Sequence, residues 1–245
     1  MANQLPYDAI MMPSELERNI SKVDRRIRAA EQASGRAAGA VSLLAVSKTK
    51  TPELVRQAHG FGLSAFGENY AQEMAEKAAV LADLPLSWHF IGPIQSNKTA
   101  LIAEVSDWVH SIDRLKVARR LNEQRPGDKA PLNVLVQINT SNEDSKSGVR
   151  PDAAPELMAA INELPGLRLR GLMTIPAATP NQTEQREPFR HLRELMNQLS
   201  DSLPQLDTLS MGMSGDLEAA VSEGANIVRV GTDIFGARYN SVPPE

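Results

Sequence analysis

Eight times between residues 41 and 230, a short apolar run gives way to a polar stretch with helical spacing, at a repeat of roughly 25 residues. The runs are Val41–Val46, Ser64–Phe66, Trp88–Ile91, Trp108–Ile112, Leu132–Asn139, Leu167–Met173, Leu206–Ser210 and Ile227–Val230. Strands separated by helices pair in parallel, because each crossover returns the chain to the same end of the sheet. Eight such units in about 200 residues match a closed (β/α)8 barrel better than an open doubly wound sheet. An open sheet would also require a glycine-rich phosphate turn after an early strand, and neither G-x-G-x-x-G nor G-x-x-x-x-G-K-[ST] occurs. The expected fold class is therefore α/β, one TIM-barrel domain over residues 1–245 with an extra N-terminal helix.

That extra helix is read from Leu16, Ile20, Val23 and Ile27, which recur at helical spacing. Ser14 followed by Glu17 has the form of a capping box, and Gly35 and Gly39 close the segment. After the first strand, Thr51-Pro52-Glu53 provides an N-cap, a proline at the first helical position and an acid in the first turn. Glu68–Leu81 reads as the next helix, and Leu217–Ser222 as the one before the last strand. No composition break divides the chain. Arg125–Pro131 and Pro176–Gln185 read as surface loops, and residues 1–12 and 241–245 as flexible ends.

Composition narrows the partners. With 26 Lys+Arg against 30 Asp+Glu the net charge is −4, the wrong sign for a non-specific nucleic-acid binder. No stretch reaches the roughly 18 consecutive apolar residues of a membrane span, and the start lacks a signal-peptide pattern. A cytoplasmic protein is expected. There is no cysteine, so no disulfide and no thiolate metal site can form, and the four histidines lack metal-ligand spacing.

In a barrel of this kind the chemistry belongs at the C-terminal ends of the strands. Lys48 lies just beyond the first. A lysine held among apolar neighbours loses hydration of its charged form, which frees the amine to act as a Schiff-base nucleophile. Lys50, two residues on, reads as an ordinary solvated loop lysine. Met211-Gly-Met-Ser214 with Gly215 follows strand seven, and Arg229-Val-Gly-Thr232 ends strand eight. The loops after these two strands are where barrels bind phosphate. Gly212, Gly215 and Gly231 let backbone N–H groups approach an anion, and Ser214 and Thr232 add hydroxyls. If Val228 and Val230 face the helices, alternation turns Arg229 into the barrel top, where a buried cation needs an acceptor. A structural arginine–carboxylate pair is the alternative. Asn69 and His89 are candidates to line the pocket, although a lone histidine on a strand is more often a satisfied structural residue than a catalyst, and Asn139 and Ser145–Gly148 lie at another strand end.

A lysine after strand one with a phosphate cradle after strands seven and eight is the layout of fold-type III pyridoxal-phosphate proteins. The sequence resembles the pyridoxal phosphate homeostasis protein family (YggS/PROSC-like). The similar stretches are Leu44–Lys50, Phe66–Tyr70, Trp88–Lys98, Ser145–Gly148, Arg170–Met173, Leu209–Ser214 and Val228–Gly236, in order along nearly the whole chain. The resemblance implies a barrel like the alanine racemase N-terminal domain, with pyridoxal 5′-phosphate (PLP) held on Lys48 as an internal aldimine. It further implies that Ser214, Gly231 and Thr232 hold the phosphate, that Arg229 lies near the cofactor, and that Asn69 and Met211 line the pocket. It implies a role in vitamin B6 homeostasis, buffering PLP or delivering it to client enzymes, with no established catalysis.

Two other readings share these residues. One is a PLP-dependent amino-acid racemase, which needs a second acid/base opposite the lysine. Racemases on this barrel bring a tyrosine from a C-terminal β-domain, which the length here is not expected to accommodate. Tyr7, Tyr70 and Tyr239 have no obvious claim to that role. The missing domain also makes a monomer the expected state. The other is a class I aldolase, which uses a Schiff-base lysine and a phosphate site without a resident cofactor.

Overall fold

A computed structural model describes residues 12–140 and 147–236. The chain opens with helix α1 (Pro13–Ala33) and then alternates strand and helix: β1 (Ser42–Val46), α2 (Pro52–Gly60), β2 (Ala65–Glu68), α3 (Ala71–Val80), β3 (Ser87–Phe90), α4 (Thr99–Val105), β4 (Trp108–Ile112) and α5 (Leu115–Gln124). It continues with β5 (Leu132–Gln137), α6 (Ala154–Asn162), β6 (Leu167–Met173), α7 (Gln182–Ser200), β7 (Thr208–Ser210), α8 (Leu217–Ser222), β8 (Ile227–Val230) and α9 (Thr232–Phe235). The strands are parallel and follow one another around a closed barrel, with β1 pairing β8 through Leu44↔Arg229 and Ala45↔Val230. Eight parallel strands with one helix layer outside make the expected barrel, and α1 is its extra helix.

Most of the apolar core lies between strands and helices. Phe66, Phe90, Met74, Ile102 and Leu121 are fully buried there, and Leu16, Val23 and Ile27 of α1 join the same cluster. Burying such a side chain contributes about 1.5–3 kcal/mol. Leu44, Leu135, Met173 and Ile227 are also buried but stand apart from that cluster. The lumen also holds buried polar groups, among them His89, His110, Ser210 and Arg229.

The structure corrects two local readings and bears out a third. Ser14 does not cap α1: the N-cap is Met12, and Pro13 starts the helix with its preset φ. Thr51 does cap α2, accepting from Leu54 N at 3.3 Å. Strand β2 runs two residues further than the sequence pattern indicates, through Glu68, so α3 starts at Ala71. A buried carboxylate is a poor strand signal, but here Lys77 of α3 pairs with it. The expectations for residues 1–11 and 237–245, and for Ser145 and Lys146, lie outside the described residues. Among the described residues, no helix is long and apolar enough to cross a membrane, and no group of three or more His, Asp or Glu could hold a metal ion.

Candidate functional site

The β1 ladder continues one residue past the strand, through Ser47 N to Gly67 O at 3.0 Å. Leu44 pairs with Arg229 and Val46 with Gly67 on the lumen side, so alternation brings half-buried Lys48 to the mouth of the barrel. The chain then turns sharply, with Lys50 N donating to Ser47 O at 3.0 Å and Thr49 in a left-handed conformation at φ 64°. That conformation is strained for a β-branched residue. Groups from β2 and α3 hold it. Glu73 Oε1 accepts from Thr49 N at 2.5 Å, and Lys77 Nζ donates to Ser47 O at 2.7 Å. Lys77 also meets Glu68 Oε1 at 2.7 Å and Glu73 at 2.6 Å, while Ser47 Oγ donates to Glu68 at 2.6 Å. Burial pushes the Glu68 carboxyl up against the pull of Lys77 and Ser47. Lys50 is not a solvated loop lysine. It is 7% exposed and deeper than Lys48, because the turn folds it back before α2.

Across the mouth, the loops after β7 and β8 lie side by side. Gly231 suits the seam with β1, where a Cβ would sit in tight contact, 3.1 Å from Val46 O. Asp216 Oδ1 accepts from Met213 N at 2.6 Å and shapes the β7 loop. Burial raises the Asp216 carboxyl. The backbone N–H groups of Ser214, Gly215, Thr232 and Asp233 find no protein acceptor among the described residues. Both loops are tied to α1 by one side chain. Arg26 donates to Ser214 O at 2.9 Å, to Asp233 at 2.6 Å and to Glu218 at 2.7 Å. Asn19 of the same helix donates to Ile234 O at 3.1 Å.

Arg229 points into the barrel, as alternation requires, and is 3% exposed. Nη1 donates to Ser210 Oγ and Nη2 to Thr174 O, both at 2.8 Å. No carboxylate contacts it among the described residues, so the arginine–carboxylate alternative does not hold. Burial pushes its pKa down to about 10, with Asp216 pulling the other way. Two of five N–H donors are engaged, and the rest suit an acceptor at the mouth. Asn69, just past β2, carries a buried Oδ1 with no hydrogen-bond partner among the described residues. Its backbone lies against Gly92, where a Cβ would fall 2.2 Å from Asn69 O.

Met211 is fully buried in the apolar cluster behind the β7 loop. His89 is not at the mouth. It lies inside the lumen with Nδ1 2.9 Å from His110 Nε2, stacked on Trp108. Burial holds both imidazoles neutral, His89 down to about 3 and His110 well below its usual value. Sequence reasoning missed Arg26, the Glu68–Glu73–Lys77 cluster and His110. Glu73 and Lys77 were within reach, since they stand at i, i+4 on a helix. Nothing in the sequence links Arg26 to residues some 200 positions away.

A half-buried lysine past β1, a buried arginine without a carboxylate contact among the described residues and two donor-rich loops on one barrel mouth define a barrel of the alanine racemase class. The family model for the alanine racemase N-terminal domain matches residues 18–239. The chain belongs to the pyridoxal phosphate homeostasis protein family. It is 58% identical over 230 residues to the pyridoxal phosphate homeostasis protein of Pseudomonas aeruginosa, covering 94% of this chain and 99% of that one. PipY of Synechococcus elongatus, in its structure with PLP bound, superimposes with a TM-score of 0.78 at 32% identity, covering 90% of this chain and all of PipY. An alanine racemase of Clostridium difficile shares the fold, with a TM-score of 0.73 at 14% identity over 93% of this chain and 58% of the racemase.

Proposed function

We propose that this chain binds pyridoxal 5′-phosphate through a Schiff base to Lys48 and serves vitamin B6 homeostasis rather than turnover. The observation that carries the reading is Arg229, a buried cation without a carboxylate partner among the described residues, beside loops with four uncommitted N–H donors. These groups fit the ligand. Ser214, Gly231 and Thr232 take the phosphate, whose charge suits uncommitted backbone donors. Arg229 would lie toward the ring nitrogen and Asn69 would line the pocket wall, with Met211 packed behind the β7 loop rather than on the pocket surface. When bound, PLP supplies an aldehyde that condenses with amines and a ring that withdraws electrons. From there Arg229 would donate to the ring nitrogen and disfavour its protonation, which would weaken that withdrawal. The turn at Ser47–Lys50 orients the Lys48 amine, and the packed lumen beneath excludes water. Relatives named for PLP homeostasis and a neighbour solved with PLP support the reading. In the cell we place the protein in the cytoplasm, as a monomer that buffers PLP or passes it to client enzymes.

The test is a titration of the purified protein with PLP, followed by its visible band, alongside Lys48→Ala and Ser214→Ala. Wild-type protein is expected to turn yellow with one equivalent. Lys48→Ala should lose the band, and Ser214→Ala should bind about tenfold more weakly, the loss of one charge-assisted bond. A colourless wild type would overturn the reading. Steady Lys48-dependent turnover of an amino acid would favour the racemase.

A further inference from the structure

We propose that Ser210 and His110 are positioning residues for Arg229, acting through a one-way file of hydrogen bonds that runs from the barrel mouth to its floor. The file is Arg229 Nη1 to Ser210 Oγ at 2.8 Å, Ser210 Oγ to His110 Nδ1 at 2.9 Å, His110 Nε2 to His89 Nδ1 at 2.9 Å, and His89 Nε2 to Ser87 Oγ at 3.2 Å. It crosses the lumen, joining β8 and β7 to β4 and β3 on the opposite wall. A barrel lumen is ordinarily filled with branched apolar side chains, so a buried polar file needs a reason. The inference rests on the reading that Arg229 meets the ring nitrogen of PLP.

The direction follows from proton counting. Arginine only donates, so Ser210 Oγ accepts from Nη1. The Ser210 hydroxyl is fully buried and must place its own proton. His110 Nδ1 is within reach and accepts it. A neutral imidazole that accepts at Nδ1 carries its proton on Nε2, which then donates to His89 Nδ1. His89 in turn donates from Nε2 to Ser87. The reverse polarity would have Arg229 and His110 both donating to Ser210, leaving its proton without an acceptor. Neutral imidazoles agree with the complete burial of the pair and with the nearby Arg229 cation.

The consequence lies at the mouth. Thr174 O and Ser210 Oγ together fix two nitrogens of the guanidinium, and so its plane. Ser210 holds its share only while His110 takes its proton. Without His110 the hydroxyl rotates, and the guanidinium keeps one firm anchor.

The experiment uses the whole chain. Nitrogen-15 NMR of the ligand-free protein at neutral pH should show Nε2–H tautomers at both His89 and His110, and distinct, slowly exchanging Arg229 Nη signals. Those signals should collapse in Ser210→Ala and His110→Leu. They should persist in His110→Asn, whose amide reaches Ser210 as Nδ1 does. On titration with PLP, Ser210→Ala and His110→Leu should bind about tenfold more weakly with a displaced visible band, and His110→Asn within about threefold of wild type. An Nδ1–H tautomer at His110, or unchanged Arg229 signals and affinity in both disabling variants, would overturn the proposal. A wild type that takes up no PLP would overturn the ligand reading instead, and the ligand-free spectra would still decide the file.

Discussion

Behind β1 and β2, the groups that hold the Lys48 turn are ionic: Lys77 sits between Glu68 and Glu73, and Glu68 is wholly buried. Beneath β7 and β8, the groups that hold Arg229 are neutral: a hydroxyl, a carbonyl and two uncharged imidazoles. The task explains the difference. At Lys48 the backbone has to be bent into a left-handed turn, and charged acceptors and donors grip backbone groups strongly. In the proposed site the Arg229 cation is itself the functional group. A carboxylate beside it would occupy the donors that the mouth needs, so its supports carry no charge.

The ionic side is the easier one to break. Lys77→Met leaves Glu68 without its counter-ion and is expected to cost about 3–5 kcal/mol in urea unfolding. Adding Glu68→Met should restore much of that loss. A single variant as stable as wild type would show that the pair holds nothing.

The two sides should also respond oppositely to pH. His89 titrates near 3 folded and near 6.5 unfolded, so the unfolded chain binds more protons between those values. Stability contributed by the neutral imidazoles is therefore lost as pH falls below about 6.5, at up to about 1.4 kcal/mol per unit for each histidine. Glu68 is raised instead, so its contribution is present below about 4.3 and is lost as pH rises through its folded value. Unfolding measured across this range should show a shallower acid limb in His110→Leu. An acid limb identical to wild type would mean that His110 charges freely in the fold.

Arg26 asks whether the loops proposed to hold the phosphate need the extra helix. Arg26→Ala should weaken PLP binding about fivefold to tenfold by calorimetry, with little change in melting temperature, because its ion pairs are partly exposed. Equal affinity would show that the loops hold themselves. The smallest effect is expected at Thr49. Glycine there relieves the positive φ but adds freedom to the unfolded chain, for a net gain of about 0.5 kcal/mol in thermal unfolding.

Much of this architecture was legible in the sequence. β6, α8 and β8 begin and end where the sequence pattern places them, and Gly166, Asp216, Glu223 and Gly231 each mark one of those ends. Lys48, Ser214, Gly231 and Thr232 could be placed because a barrel puts its chemistry at fixed loops. The misses share one cause. Glu68 in a strand, Lys50 under a turn and His89 in the lumen are polar residues in buried places, and each owes its burial to contacts or folding that no local pattern encodes. Arg26 is the same case at longer range, a surface-looking helical arginine whose partners lie near the other end of the chain.

On the proposed reading Lys48, rather than the more deeply buried Lys50, carries PLP. Borohydride reduction of the PLP-loaded protein, followed by peptide mapping, tests it directly. The label is expected on Lys48 at one equivalent per chain, and on neither lysine in Lys48→Ala. A label on Lys50, or none in the wild type, would contradict the account.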